Sequence, residues 1–264
     1  MNFAIIVSKK DQAGMNIKKQ LEKLNSKIPT YEFEKETVYL EHIDEKIKED
    51  FIIFATRHQS VKHNKTLSIH VAGNFKNNEL GGEKNKVCTS NASILKNFFL
   101  ELDKQQKENE HTAKDYSLTL ECTHHGPLIE KPSLFIEIGS SEEEWNDEEA
   151  ASVVARTIIN SVRNVTNSNQ KHPAIVGLGG PHYCPNFNKI ELNSKYAISH
   201  IIPEYLMPIT KEMIEESIKK TQEKIEFFVL DWKGLGKSDD RQKVINALED
   251  LGLTWKRTSD VEKD

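Results

Sequence analysis

Cysteine is scarce in this chain of 264 residues: three occur, Cys88, Cys122 and Cys184, with no CxxC pair. An odd count without paired spacing argues against a disulfide framework or a zinc-finger site, and points to a reducing, cytoplasmic setting. Long apolar runs are missing, so no membrane span is expected. Residues 1–8 are apolar but short, and a helical pattern follows at once, so no signal peptide is expected either. A basic excess is also missing: Lys plus Arg number 36 against 41 Asp plus Glu, a formal charge of −5. Nucleic-acid binders usually show the opposite balance, so any such partner would need a local basic patch. HExxH, GxGxxG, P-loop and GxSxG patterns do not occur, which removes the commonest signatures of zinc peptidases, nucleotide enzymes and serine hydrolases.

What is there alternates. Short apolar runs at 1–8, 50–56, 66–71, 133–138, 174–178 and 227–230 read as strands, with 37–40, 116–122 and 196–202 as further candidates. Helical spacing follows at 11–24, from Ser90 or Asn91 to about 108, from Ser140 or Ser141 through Ile158, and over 210–224 and 238–251. This alternation predicts an α/β fold, a mixed, mostly parallel sheet covered by helices on both faces, in one domain spanning 1–264. Residues 74–90, with Asn77-Asn78 and Gly81-Gly82, read as a mobile surface loop.

Ionisable groups gather beside turn residues where strands end: Arg57-His58-Gln59-Ser60, Thr123-His124-His125-Gly126-Pro127, Glu137-Ile138-Gly139-Ser140 and Gly179-Gly180-Pro181-His182-Tyr183. Open α/β sheets bind ligands outside the carboxyl ends of their strands. Histidines there serve as acid, base or metal ligand, and glycines let backbone N–H groups approach an oxyanion. Each feature also has a plainer reading. His58 alone would be a surface or capping residue. In an extended segment His124 and His125 point to opposite sides, unless the Gly-Pro turn splays them. Glu137, between Ile136 and Ile138, is either paired, metal-bound or a base, or else lies on the wet face of an edge strand. Gly179-Gly180 alone is a tight turn. A metal could be assembled from separate strands by His58, His124 and His182, with Glu137 as ligand or base.

Three ordered motifs carry a family resemblance: Cys-Thr-His-His-Gly-Pro at 122–127, Phe-Ile-Glu-Ile-Gly-Ser-Ser at 135–141 followed by Trp145, and Gly-Leu-Gly-Gly-Pro-His-Tyr at 177–183. With Ser199-His200-Ile201-Ile202-Pro203 and the segments 1–8 and 50–60, they make nearly the whole chain resemble the archaeal-type D-aminoacyl-tRNA deacylases. Pro181 stands where that family commonly has Thr, a departure within a turn that leaves His182 and Tyr183 in place. The resemblance implies a three-layer α/β/α sandwich of the phosphorylase/peptidyl-tRNA-hydrolase type, dependence on zinc, and hydrolysis of the ester joining D-amino acids of several kinds to tRNA.

The expected catalytic groups are His124, His125, Glu137 and His182. Gly126, Gly179, Gly180, Tyr183, Ser60 and Lys62 are expected to contact D-aminoacyl-tRNA, and His58, His124 and His182 to hold zinc. Lys62, Lys65, Lys84, Lys86, Lys233 and Lys237 are candidates for a basic rim, though any one of them alone reads as a solvated lysine. The chain is expected to act as a monomer. Two other classes stay open: a metal-dependent amidohydrolase or exopeptidase acting on small acylated amino acids, and a non-catalytic tRNA-binding protein.

Overall fold

The computed structural model describes residues 1–61, 63–168 and 170–261. In chain order, β1 (Phe3–Ser8), α1 (Gln12–Lys23), β2 (Thr30–Phe33) and β3 (Phe51–Gln59) come first. They are followed by β4 (Thr66–His70), the short β5 (Gly73–Asn74) and β6 (Lys86–Val87), α2 (Ala92–Glu108), α3 (Glu110–Asp115) and β7 (Ser117–Leu120). Next come β8 (Ser133–Ser140), α4 (Glu142–Trp145), α5 (Glu148–Asn167), β9 (Ala174–Leu178) and α6 (Pro185–Asn193). The chain closes with β10 (Ala197–Ile202), α7 (Lys211–Lys219), β11 (Ile225–Leu230), α8 (Ser238–Asp250), β12 (Trp255–Arg257) and α9 (Thr258–Val261).

The strands form two larger sheets. Six strands run in the order β2-β1-β3-β8-β4-β7 and four in the order β10-β9-β11-β12, while β5 and β6 pair separately. The four-stranded sheet is parallel throughout. In the six-stranded sheet β4 alone meets its neighbour β8 antiparallel, and β7 follows β4. The α/β class and the mixed, mostly parallel pairing agree with the sequence. The division into two sheets was not anticipated, because alternation along a chain does not say which strands become neighbours.

Local chemistry explains the main elements. Asp11 caps α1 by accepting from Gly14 N at 2.8 Å, Asn91 caps α2 by accepting from Ile94 N at 2.9 Å, and Asp147 caps α5 through Ala150 N. That last cap divides the helix expected from 140 onward into α4 and α5. Helix α5 packs against both α1 and α2, and α2 reaches β4 on one side and β10 on the other, joining the two sheets. One apolar cluster accordingly runs from Ile5, Phe54 and Phe135 through Phe98 to Ile175 and Phe187.

The strand expected at 37–40 is a single 3-10 turn, Thr37–Tyr39, and the actual edge strand is β2. β2 is only partly buried along its length, so it lacks the apolar run that signals a strand. Residues 74–90, read as a mobile loop, pack onto the body. Phe75, Val87 and Cys88 are buried, and the Asn74 side chain donates to Gly81 O at 2.9 Å. Among the described residues no helix is long and apolar enough to cross a membrane.

Candidate functional site

Register in the six-stranded sheet builds the floor of a cavity. Thr56 lies opposite Glu137, Glu137 opposite Ser68, and Ser68 opposite Thr119, so four polar side chains share one face across four strands. Two residues away towards the carboxyl end of β3 the row is His58, Gly139, Thr66 and Ser117. Two residues the other way it is Phe54, Phe135 and His70, with Glu121 following Leu120 on β7. Phe54 and Phe135 stack at 4.5 Å between ring centres, and His70 stacks on Phe135 at 5.2 Å. A Cβ on Gly139 would stand 2.7 Å from His58 Cδ2, so the glycine makes room for that imidazole.

Segments from outside the sheet supply the rest. The turn after β7 brings in His124 and His125, and Gly73 N donates to both their carbonyls. His125 has φ of 45°, the left-handed region, which cancels the alternation of an extended chain. Both rings therefore face the same space, 4.3 Å apart between centres. The segment after β9 is bonded to β7 at three points: Cys122 N donates to His182 O at 3.0 Å, Thr119 Oγ1 to Tyr183 O at 2.5 Å, and Leu120 N to Asn188 Oδ1 at 2.7 Å. These bonds fix His182 and Tyr183 over the sheet.

The side chains form two sets. In the first, Glu137 accepts from Thr56 Oγ1 at 2.7 Å and lies 3.6 Å from His58 Nδ1, while Glu121 lies 3.2 Å from the same nitrogen and 3.0 Å from His182 Nε2. His58 Nε2 meets the Tyr183 hydroxyl at 2.9 Å. Burial alone would push Glu137 up, but the His58 and His70 imidazoles outweigh it and hold this carboxyl well below its usual range. Glu121 behaves alike: burial opposes ionisation, His182 and His58 overcome it, and the carboxyl falls to about 2. Burial lowers His58 and His182, yet the carboxylates beside His58 raise it, and Cys122 and Glu121 raise His182 to about 10.

The second set is His70, His124 and His125. Their Nδ1 atoms face the carbonyls of Val71 at 3.3 Å, Cys122 at 2.8 Å and Gly126 at 2.6 Å. A carbonyl only accepts, so each Nδ1 carries the hydrogen, and in a neutral ring the Nε2 then presents a lone pair. Burial first, then neighbouring imidazoles, hold His124 well below the usual range and His125 at about 4, so both are neutral. His70 Nε2 is buried without a hydrogen bond and stands 3.7 Å from Glu137 Oε1. One ligand-capable atom from each of the three lies within 4.8 Å of the others.

A cavity of about 390 Å³ is lined by His58, His124, His125, Glu137 and His182, so residues far apart in sequence meet as expected. A second cavity of about 940 Å³ adjoins it, shares His58, Gln59 and His182, and adds Ser60, Lys65 and Tyr183. His58 and His182 group with Glu121, and His124 and His182 with Cys122, but no ligand-capable group among the described residues unites His58, His124 and His182.

Gly126 N donates to Leu80 O at 2.9 Å and Gly179 N to Ile202 O at 2.8 Å, which leaves neither N–H for an oxyanion. A Cβ at Gly126 would come within 2.2 Å of Gly82 N, so that glycine serves close packing of the 74–90 segment. Gly180 packs against Asp231, outside the lining of either cavity. Of the rim lysines, Lys65 lines the larger cavity, while Lys84, Lys86, Lys233 and Lys237 are exposed and line neither. Lys62 lies outside the described residues. Sequence reasoning missed His70 and Glu121. Each ends an alternating strand beside no glycine, and only the pairing of β4 with β8 and β7 brings them to the others.

Comparisons with known proteins place the chain in a family. The sequence profile of a family described as D-aminoacyl-tRNA deacylase matches residues 45–256. A D-aminoacyl-tRNA deacylase of Pyrococcus abyssi is 34% identical, over 95% of this chain and 98% of the relative. One from Methanococcus maripaludis is 30% identical, over 97% of this chain and 100% of the relative. A crystal structure of a conserved protein of unknown function superposes with a TM-score of 0.90 at 30% identity, covering 100% of this chain and 97% of that one.

Proposed function

Because the chain belongs to the D-aminoacyl-tRNA deacylase family, we propose that it hydrolyses the ester joining a D-amino acid to the terminal ribose of tRNA, releasing free tRNA and the D-amino acid as a step of translation quality control. The observation that carries this reading is one cavity in which carboxylate-paired imidazoles face neutral ones. Ester hydrolysis needs both kinds of group.

His58 and His182 are the acids. Each is held protonated by buried carboxylates, and both line the junction of the two cavities. His58 donates from Nε2 to the ribose oxygen as the ester C–O bond breaks, and Tyr183 aims that nitrogen. Glu137, held in place by Thr56, takes the proton released by the attacking water and gives it up to solvent, while His58 regains its own proton at Nε2 from solvent through the larger cavity. Side-chain breadth fits a wall made partly of Thr37, Val38 and Leu80, which lays down no single pattern of polar contacts.

Zinc, implied by the family, fits His70, His124 and His125 best. The neutral His124 and His125, with anchored Nδ1–H groups, and the buried His70 bring one ligand-capable atom each within 4.8 Å of the others, a spacing that suits a three-histidine site. His182 suits it less, since its Nε2 is held to Glu121 as imidazolium. Zinc bound there supplies Lewis-acid polarisation of the ester carbonyl.

The test joins turnover to metal content. Wild-type protein should cleave D-aminoacyl-tRNA at least a hundredfold faster than the matched L-form and carry about one zinc per chain. His70→Ala and His124→Ala should lose the metal, while His58→Ala should keep it and lose turnover. Preference for free N-acyl amino acids would replace this reading with an amidohydrolase, and tRNA binding without turnover would leave a binding protein.

A further inference from the structure

We propose that the two adjoining cavities divide the substrate: the 390 Å³ cavity receives the D-aminoacyl group and the 940 Å³ cavity receives the terminal nucleoside with its phosphate. This rests on the deacylase reading above and assigns each half of the ester to its own chamber.

His58 and His182 line both cavities, so a carbonyl held between them has one cavity on either side. A D-aminoacyl ester is electrically lopsided. One side of its carbonyl carries an α-ammonium and the other a polyanionic strand. Apart from His58 and His182, which both cavities share, the smaller cavity sets three carboxyl side chains, Asp11, Glu36 and Glu137, against one guanidinium, Arg57, which is itself bonded to Glu36 Oε1 at 2.9 Å. Such a wall attracts an ammonium and repels a phosphate. The larger cavity is less acidic: it is lined by the single carboxylate of Asp115 and by Lys65, which is paired with Glu143 at 2.9 Å, and Ser60, Asn64 and Asn188 offer groups suited to ribose and base.

Shape points the same way. A side chain ends, whereas a terminal nucleoside must continue into the rest of the tRNA. The smaller cavity closes on buried Thr37, Glu137 and Thr56. The larger is edged by the exposed residues Val61, His63, Asn64 and Ser117, which leave a way out, whereas beyond the shared Gln59 the smaller has the exposed Leu80 at its mouth. In this arrangement Leu80 and Val38 meet the D-side chain, and Glu36 meets its ammonium.

The experiment compares kcat/KM for D-Ala-tRNA and D-Tyr-tRNA in the full chain carrying Leu80→Trp, Val38→Trp or Ser117→Trp. Leu80→Trp and Val38→Trp, which narrow the smaller cavity, should each shift the ratio towards D-Ala by tenfold or more. Ser117→Trp, at the edge of the larger one, should raise KM for both substrates and hold the ratio within twofold. The ratio is internal to each preparation, so partial loss of folded protein cancels. As a second arm, Glu36→Gln should raise KM severalfold for D-Tyr-tRNA but not for N-acetyl-D-Tyr-tRNA. If wild-type protein cleaves neither D-substrate, the deacylase reading falls. If it cleaves both and the ratio moves with Ser117→Trp, or with none of the three, the division of the cavities falls alone.

Discussion

At the scale of single residues the site depends on neighbours fixing where protons sit. The Tyr183 hydroxyl is 2.9 Å from His58 Nε2 and is half-buried against it. Tyr183→Phe keeps the ring and removes that contact. We expect kcat to fall about tenfold, roughly 1.4 kcal/mol of barrier, with Tm nearly unchanged; an unaltered kcat would show that the hydroxyl does not aim the imidazole. His200 presents a different case, away from the cavities. It is buried, with Nε2 donating to Lys220 O at 3.2 Å and Nδ1 facing the Thr123 hydroxyl at 3.2 Å. Burial, opposed by the hydrogen bond to the Lys220 carbonyl and aided by the Lys220 charge, lowers it to about 4. As pH falls below 6.5 the unfolded chain takes up a proton that the native His200 refuses, so its contribution is intact above 6.5 and is lost as pH drops towards 4. The total is on the order of 3 kcal/mol. Urea midpoints at pH 7 and pH 5 should therefore differ more for wild type than for His200→Gln, and equal differences would contradict this assignment.

At the scale of elements, β8 comes close to both β3 and β4 at one glycine beside the site. A Cβ on Gly139 would stand 2.8 Å from both His58 Cβ and Thr66 Oγ1. Gly139→Ala should cost about 1–3 kcal/mol by overpacking and should also depress turnover by displacing His58; denaturant titration and an activity assay read the two effects separately. The apolar runs of β1, β3, β8 and β9 were plain in the sequence because both faces of these strands are covered, as was the start of α2 at Ser90 or Asn91, of which Asn91 is the cap. β2 was hidden because an edge strand with a wet side has no continuous apolar run, and the 3-10 turn at 37–39 imitated one. His58, His124, His125, Glu137 and His182 could be picked out from the company they keep at strand ends. His70 and Glu121 could not, since their relevance comes from register between strands about fifty residues apart, and no local pattern encodes register. The glycine N–H groups at 126 and 179 misled for the same reason, because their acceptors, Leu80 O and Ile202 O, are remote in sequence.

At the scale of the whole molecule, charge limits how tRNA is held. The chain carries a formal charge of −5, and only Lys65 of the described rim lysines lines a cavity. Few phosphates are neutralised at such a surface, so log(kcat/KM) should fall against log salt with a slope of roughly −1 to −2, as one to three contacts to single-stranded nucleic acid give. A much steeper slope would reveal a basic footprint elsewhere on the protein.

The reversal of β4 against β8 reaches further than its bonding pattern. It carries His70 four residues away from the level of His58, roughly 13 Å along the strand direction, so the ionisable groups are spread in depth along the sheet instead of sharing one level. A visitor must come down end-first and slender. An unpaired tail can make that descent, while a double helix halts at the threshold, so girth screens the visitor before handedness is ever judged.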